Sequence, residues 1–249
     1  IMYDIIMPIG NDEKITSISI NSALNQTLPY SNFIFIIDTI TEDEANKIKN
    51  KLKDIDRSKI IRTNRVGQGK ARQIGVDNAS SEFLAFLDYD DLWHPKKIEV
   101  QIRNLKKEGA DFSFCSYRAI NIDQGKILFN VHCKRKISQI NFFICCPIGV
   151  STVLCRREIF SKSMKLSHAK KRWDYITWFN LWKNFNPKHS VCNDYLALIV
   201  KRSTSISSNY WRSPAGYLSM KQAYRKLGFN SFNSYLIAFF YSLMQIPVK

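Results

Sequence analysis

No apolar run in this 249-residue chain is both long and clean enough to cross a bilayer, which takes ~20 residues. The longest, Tyr235 to Val248, is broken by Ser242, Gln245 and Pro247, although it could still lie in a membrane surface. There is no C-x-x-C pair either. The six cysteines (Cys115, Cys133, Cys145, Cys146, Cys155 and Cys192) sit mainly in apolar stretches, which argues against zinc and for buried thiols in a reducing compartment. The first residues lack the basic, apolar, small-residue order of a secretory signal, so a cytoplasmic protein is expected. Repeats and low-complexity segments are absent as well. What is present, 45% hydrophobic and 23% charged residues, is the composition of an ordinary globular chain able to bury one sizeable core.

Acid is the scarce charge. Against 37 Lys plus Arg stand 21 Asp plus Glu, a net +16 that attracts nucleic acid, anionic lipid or a phosphorylated substrate without choosing among them. The basic residues are scattered in small groups, such as Lys96 with Lys97 and Lys134 to Lys136, and form no long tail. That argues against a disordered nucleic-acid arm.

Tyr3 to Ile9, Phe33 to Ile37, Ile60 with Ile61, and Phe83 to Leu87 are short continuous apolar runs, the pattern of strands covered on both faces. Helical stripes alternate with them: Ile15 to Leu24, Glu42 to Leu52 capped by Thr41, and Ala71 to Asn78. Such alternation predicts an open, doubly wound, mostly parallel sheet that binds ligands beyond the carboxyl ends of its strands, where Asp38 and Asp88 fall. Pro95 is expected in the first turn of a helix running to about Lys107. Beyond Asp111 the pattern loosens into α+β: a strand at Phe112 to Tyr117, a polar basic loop through Lys136, a helix at Trp173 to Phe185, a strand at Tyr195 to Val200, and two amphipathic helices parted near Gly228.

Phe86-Leu87-Asp88-Tyr89-Asp90-Asp91 places three carboxylates in four positions directly after an apolar strand. Clustered carboxylates repel one another and resist burial, so packing gains nothing from them. A bound Mg²⁺ or Mn²⁺ would remove the penalty and neutralise a diphosphate; the bland alternative is an acidic turn capping the next helix. Asn64 to Arg72 is a small-residue loop opening a helix, whose amides and Lys70 and Arg72 side chains could meet nucleotide oxygens, though such turns are common. Arg172-Trp173-Asp174-Tyr175 sets an acid amid aromatics at a helix start, either a general base or a helix cap.

In this order the segments resemble the family 2 glycosyltransferases of bacterial surface-polysaccharide (lipopolysaccharide and capsule) synthesis. Pro8-Ile9-Gly10-Asn11 is similar to the Pro-x-x-Asn turn after the opening strand, and Ser22 to Thr27 to the end of the following helix. Asn64 to Gly75 resembles Asn-x-Gly-x-x-x-Ala-Arg-Asn-x-Gly, and Phe86 to Trp93 the Phe-Leu-Asp-x-Asp-Asp signature with its D-x-D acids. The match runs through roughly the first hundred residues.

The resemblance implies an α/β GT-A fold with a helical C-terminal extension. It implies a catalytic domain over residues 1–215, divided into a nucleotide-sugar half (1–110) and an acceptor half (111–215), then a tail (216–249). Donor contacts would come from Pro8, Asn11, Asp38, Arg72, Asp88 and Asp91, the metal ligand would be Asp90, and the catalytic base Asp174. The implied reaction is inverting, metal-dependent transfer of one sugar from a UDP-linked donor to a saccharide or lipid-linked acceptor. Ser151 to Glu158 looks like the strand before the acceptor region, and Ser203 to Ser207 like the Ser-rich loop near the domain's end. Two departures stand out: Thr39-Ile40-Thr41 replaces a second Asp with Gly-Ser, and Trp173 replaces the usual Glu before the base. No Gln-x-x-Arg-Trp motif follows, so a processive synthase is not expected.

Two other readings compete. A nucleic-acid binder would use the +16 and the aromatics but leaves the carboxylate cluster unexplained, so no nucleic-acid partner is expected. A sugar-nucleotide nucleotidyltransferase would keep the carboxylates but needs a glycine-rich N-terminal phosphate loop, which Pro8 to Asn11 is not. The surplus charge fits peripheral contact with the inner face of an anionic membrane. Tyr217, Met220, Tyr224 and Leu227 among Lys221, Arg225 and Lys226 offer an interfacial helix, or else one that closes the core.

Overall fold

The computed structural model describes residues 2–10, 13–39, 41–133, 137–138, 142, 146, 148–162, 166–169, 172–201, 214–234, 236 and 238. Its first half is built on four parallel strands in the order β3-β2-β1-β4: β1 (Tyr3–Ile9), β2 (Asn32–Asp38), β3 (Ser58–Thr63) and β4 (Phe83–Phe86). The seven residues of β1 are all buried, because side chains alternate between two covered faces. Tyr3, Ile5 and Met7 pack with α1 (Glu13–Leu24), α2 (Glu42–Leu52) and α4 (Lys97–Glu108), whereas Ile6 turns to the face of α3 (Gln68–Asp77). Gly75 lets α3 lie close to that face, since a Cβ there would come within 2.5 Å of Ile6 Cγ2. As expected, Thr41 caps α2, its hydroxyl accepting from the Glu44 N–H at 3.4 Å.

The second half continues the same sheet with mixed directions. Next to β4 comes β8 (Leu154–Arg156), antiparallel, then β6 (Phe112–Asn121), β9 (His189–Lys201) and the two-residue β5 (Leu92–Trp93), with β7 (Lys126–Val131) paired to β6. The result is a curled mixed sheet with helices on both faces. Beneath it lies an aromatic core in which Trp178 and Trp182 of α6 (Trp173–Asn184) meet Phe112 edge-on, each at 5.4 Å. A short α5 (Glu158–Lys162) follows β8.

Several sequence expectations need correction. The segment 118–136, read as a loop, contains a hairpin: β6 runs on to Asn121 and β7 returns beside it, held by backbone pairing that apolar alternation does not announce. Strand β9 begins at His189, not Tyr195, since it pairs along the whole of β6. Of Ser151 to Glu158 only Leu154–Arg156 is strand; Val150–Thr152 is a 3₁₀ turn. Pro95 precedes α4 rather than joining it. Finally, the face of α7 (Pro214–Lys226) considered for a membrane is turned inward: Met220 and Tyr224 are buried with Leu227 beyond, and the Tyr175 hydroxyl bonds that of Tyr224 at 3.0 Å. A core-closing helix is what the structure has there. Residues 231–234, 236 and 238 are also helical beyond Gly228, while Phe239, Phe240 and Leu243 lie outside the described residues.

Candidate active site

The C-terminal ends of β1, β2 and β4 share one edge of the sheet, and the sequence-predicted acids emerge there. Pro8 is buried within β1, paired with Ile36. Gly10, one residue past β1, lies against the Tyr89 ring, 3.5 Å from where a Cβ would stand. Asn11 is outside the described residues.

Asp38 ends β2 with both carboxylate oxygens engaged. It accepts from the Thr63 hydroxyl at 2.7 Å, the Val66 N–H at 2.8 Å and the Gly67 N–H at 3.0 Å. Its charge therefore fixes the turn that leads from β3 into α3. From that helix Arg72, 2% exposed, reaches Asp88 in an ion pair. The Arg72 guanidinium also donates to the Gln68 carbonyl at 3.0 Å and stacks over Trp173, 4.7 Å from the ring centroid, while its buried Nε has no hydrogen-bond partner among the described residues. Trp173, the departure from the usual acid, thus shapes the Arg72 pocket, and its indole N–H donates to Gln68 Oε1 at 3.2 Å. Gly69 permits this contact: a Cβ there would lie 2.0 Å from the Ser167 carbonyl oxygen and 3.1 Å from Trp173 Cβ.

The three clustered acids are not equivalent. Asp88 is 29% exposed and Asp90 half-buried, so both are reachable from solvent. Asp91 is 3% exposed and turned into the protein, where it accepts from the Ser151 hydroxyl at 2.5 Å and the Val200 N–H at 3.0 Å. Burial, then the charges of Asp88 and Asp90, push its pKa well above the usual carboxylate range, against the pull of those two donors. Ser151 also accepts from the Asp88 N–H at 3.0 Å, so one hydroxyl ties both ends of the acidic loop.

Behind that loop lies a buried polar brace. The Trp93 indole N–H donates to the Ser151 carbonyl at 2.7 Å, and the Lys97 ammonium sits 4.4 Å from the Trp93 ring centroid while donating to Gln101 Oε1 at 2.7 Å. Burial lowers the Lys97 pKa to about 8. Sequence reading missed Ser151, Gln101 and Lys97 in this role. A buried lysine leaves no mark in periodicity, and Ser151 is 60 residues from Asp91.

Asp174 opens α6 and completes the group. Its pKa is raised by burial above all; the Tyr175 N–H, Arg172 and Arg72 oppose the shift and Asp88 adds to it. A half-buried carboxylate of raised basicity beside an Arg–Asp pair can accept a proton from a bound hydroxyl. Ser203 to Ser207 lie outside the described residues.

Comparison with known proteins follows the same geometry. The family model described as "Glycosyl transferase family 2" matches residues 4–164. An Escherichia coli UDP-Glc:alpha-D-GlcNAc-diphosphoundecaprenol beta-1,3-glucosyltransferase, WfgD, is 30% identical over 215 residues, covering 85% of this chain and 81% of its own. The putative teichuronic acid biosynthesis glycosyltransferase TuaG of Bacillus subtilis is 25% identical, with 85% and 84% covered. Some relatives are much longer, and the chain spans 29% of an uncharacterized Rickettsia felis glycosyltransferase. Among solved structures, S. aureus TarS 1-349 in complex with UDP-GlcNAc superposes with a TM-score of 0.70 at 18% identity, covering 97% of this chain and 71% of that one.

Proposed function

The chain belongs to glycosyl transferase family 2, and from that premise we propose that it moves one sugar, with inversion, from a UDP-linked donor to a saccharide or lipid-linked saccharide acceptor of cell-surface polysaccharide synthesis. The observation that carries this reading is the meeting of Asp88, Arg72 and the Trp173–Asp174 helix start at one edge of the sheet, with Asp90 two residues along the same loop. The name of the Escherichia coli relative, with its UDP-glucose donor and diphosphoundecaprenol acceptor, supports the donor and acceptor classes, and UDP-GlcNAc in the TarS complex supports the donor class alone.

In this mechanism Asp174 takes the proton of an acceptor hydroxyl onto its carboxylate. The hydroxyl oxygen forms a bond to the anomeric carbon from the face opposite the diphosphate, and the bond from that carbon to the diphosphate oxygen breaks. Asp38 holds the Val66–Gly67 turn at the nucleotide end, and Arg72, clamped between Asp88 and Trp173, supplies fixed positive charge. Asp88 and Asp90, both reachable from solvent, are the residues that would hold a hard cation, since Mn²⁺ or Mg²⁺ commonly takes one or two carboxylates plus substrate phosphates. Such an ion would neutralise charge on the departing diphosphate. Asp91 supports its neighbours from below.

Donor binding measured by thermal shift across a panel of nucleotide sugars, with and without Mn²⁺, tests the reading together with two variants. Asp90→Ala is expected to lose the Mn²⁺-dependent part of donor binding. Asp174→Asn should keep donor affinity while turnover falls roughly 10²- to 10⁴-fold. Wild-type turnover in Asp174→Asn would return that residue to the role of a helix cap.

A further inference from the structure

The β6–β7 hairpin carries an apolar patch that the transfer reaction does not use. Residues 123–130 are all exposed, and within them Ile127, Leu128 and Phe129 are 54%, 48% and 49% exposed. No other neighbouring pair of large apolar side chains is exposed among the described residues. Across a register shift in the ribbon Phe129 pairs with Ala119 and Ile127 with Ile120; paired residues share a face while Ala119 and Ile120 face opposite ways, so apolar side chains stand on both sides of the ribbon. Among the described residues strand β7 pairs with β6 alone and its outer edge has no strand partner, an arrangement that invites aggregation unless something covers it.

We propose that this hairpin is a membrane-contact element that inserts its apolar tip into the interface of an anionic bilayer. A flat protein partner would cover one face of the ribbon, whereas a lipid interface surrounds both. Charge agrees with lipid: within the hairpin Arg118 and Lys126 stand against Asp123 alone, on a chain of net charge +16. Apolar residues set among basic ones are what holds a peripheral segment in an anionic interface.

Direction in the sheet adds a third argument. Strand β8 is antiparallel to both β4 and β6, so β6 runs with β4 and delivers the hairpin to the edge where Asp88, Asp90 and Asp174 lie. A bilayer gripped there would face the site. The contact goes beyond the transfer reading and would stand even if the acceptor were a free saccharide.

Co-sedimentation with phosphatidylcholine vesicles, with and without phosphatidylglycerol, tests it on the full chain. Wild type should bind the anionic vesicles preferentially, and binding should weaken with added salt. The triple variant Ile127→Ser, Leu128→Ser, Phe129→Ser should bind about tenfold more weakly, with melting temperature and donor hydrolysis unchanged, a loss equivalent to about 1.4 kcal/mol. In a separate variant, Leu128→Trp, brominated anionic lipid should quench fluorescence beyond the wild-type level. Equal binding to neutral and anionic vesicles, or full binding by the triple variant, would overturn the proposal. So would a wild-type dimer that the triple variant dissociates, since the patch would then join two copies of the chain. Donor hydrolysis in the same samples reports on the transfer reading separately.

Discussion

The two halves of the sheet present site residues in different ways. Strands β1 to β4 are parallel, with β1, β2 and β4 covered on both faces and β3 part-exposed at the edge, and they carry Asp38 and Asp88 at or just past their ends, so the strands set where those acids emerge. The half from β5 onward is mixed in direction and contributes mainly what holds them: Ser151 from a 3₁₀ turn, the Val200 N–H from β9, and Trp173 stacked on Arg72. The difference teaches that the first half supplies position and the second supplies environment. Asp88 and Asp90 stay reachable because Asp91 is anchored in the other half.

The sharpest way to break this arrangement is at the seam. Gly69→Ala puts a methyl group 2.0 Å from the Ser167 carbonyl, so α3 and the segment before α6 must separate and Arg72 loses its ring. Overpacking of this kind costs about 1–3 kcal/mol, and the expected result is a lower melting temperature together with strongly reduced turnover. A variant of wild-type stability and activity would show that the two halves need no close contact here.

A second test uses protons. The unfolded chain releases the Asp91 proton in the ordinary Asp range, whereas the folded protein keeps it to higher pH because burial raises the group. Stability from this group is therefore full below the ordinary range and lost as pH rises through the raised value. In Asp91→Asn that decline should disappear, so urea midpoints of wild type and variant should diverge between acid and mildly alkaline pH. Parallel profiles would mean that Asp91 titrates normally and that Ser151 and Val200 offset its burial.

The smallest expected effect belongs to Tyr224→Phe. It deletes the hydroxyl bonded to that of Tyr175, which should lower stability by about 0.5–1.5 kcal/mol and leave donor hydrolysis unchanged, since the Tyr175 ring packs in the aromatic core and only its N–H reaches Asp174. Loss of hydrolysis in this variant would show that the second half shapes the site through α7 as well.

The sequence alone determined the parallel half. Apolar runs covered on both faces, the Thr41 cap and acids placed at strand ends are local signals, each read within about ten residues, and they foretold β1 to β4, α1 to α3 and the acidic loop. Tertiary structure decided what lies between distant segments. Ser151 reaches Asp91 across 60 residues, Trp173 reaches Gln68 across 105, and Val200 reaches Asp91 across 109. It also decided that α7 closes the core while the hairpin remains exposed: the amphipathic pattern of α7 fits a membrane interface or a core equally well. Only the neighbours that the chain brings to each segment settle which apolar face is buried, because burial is a property of the surroundings and not of the segment.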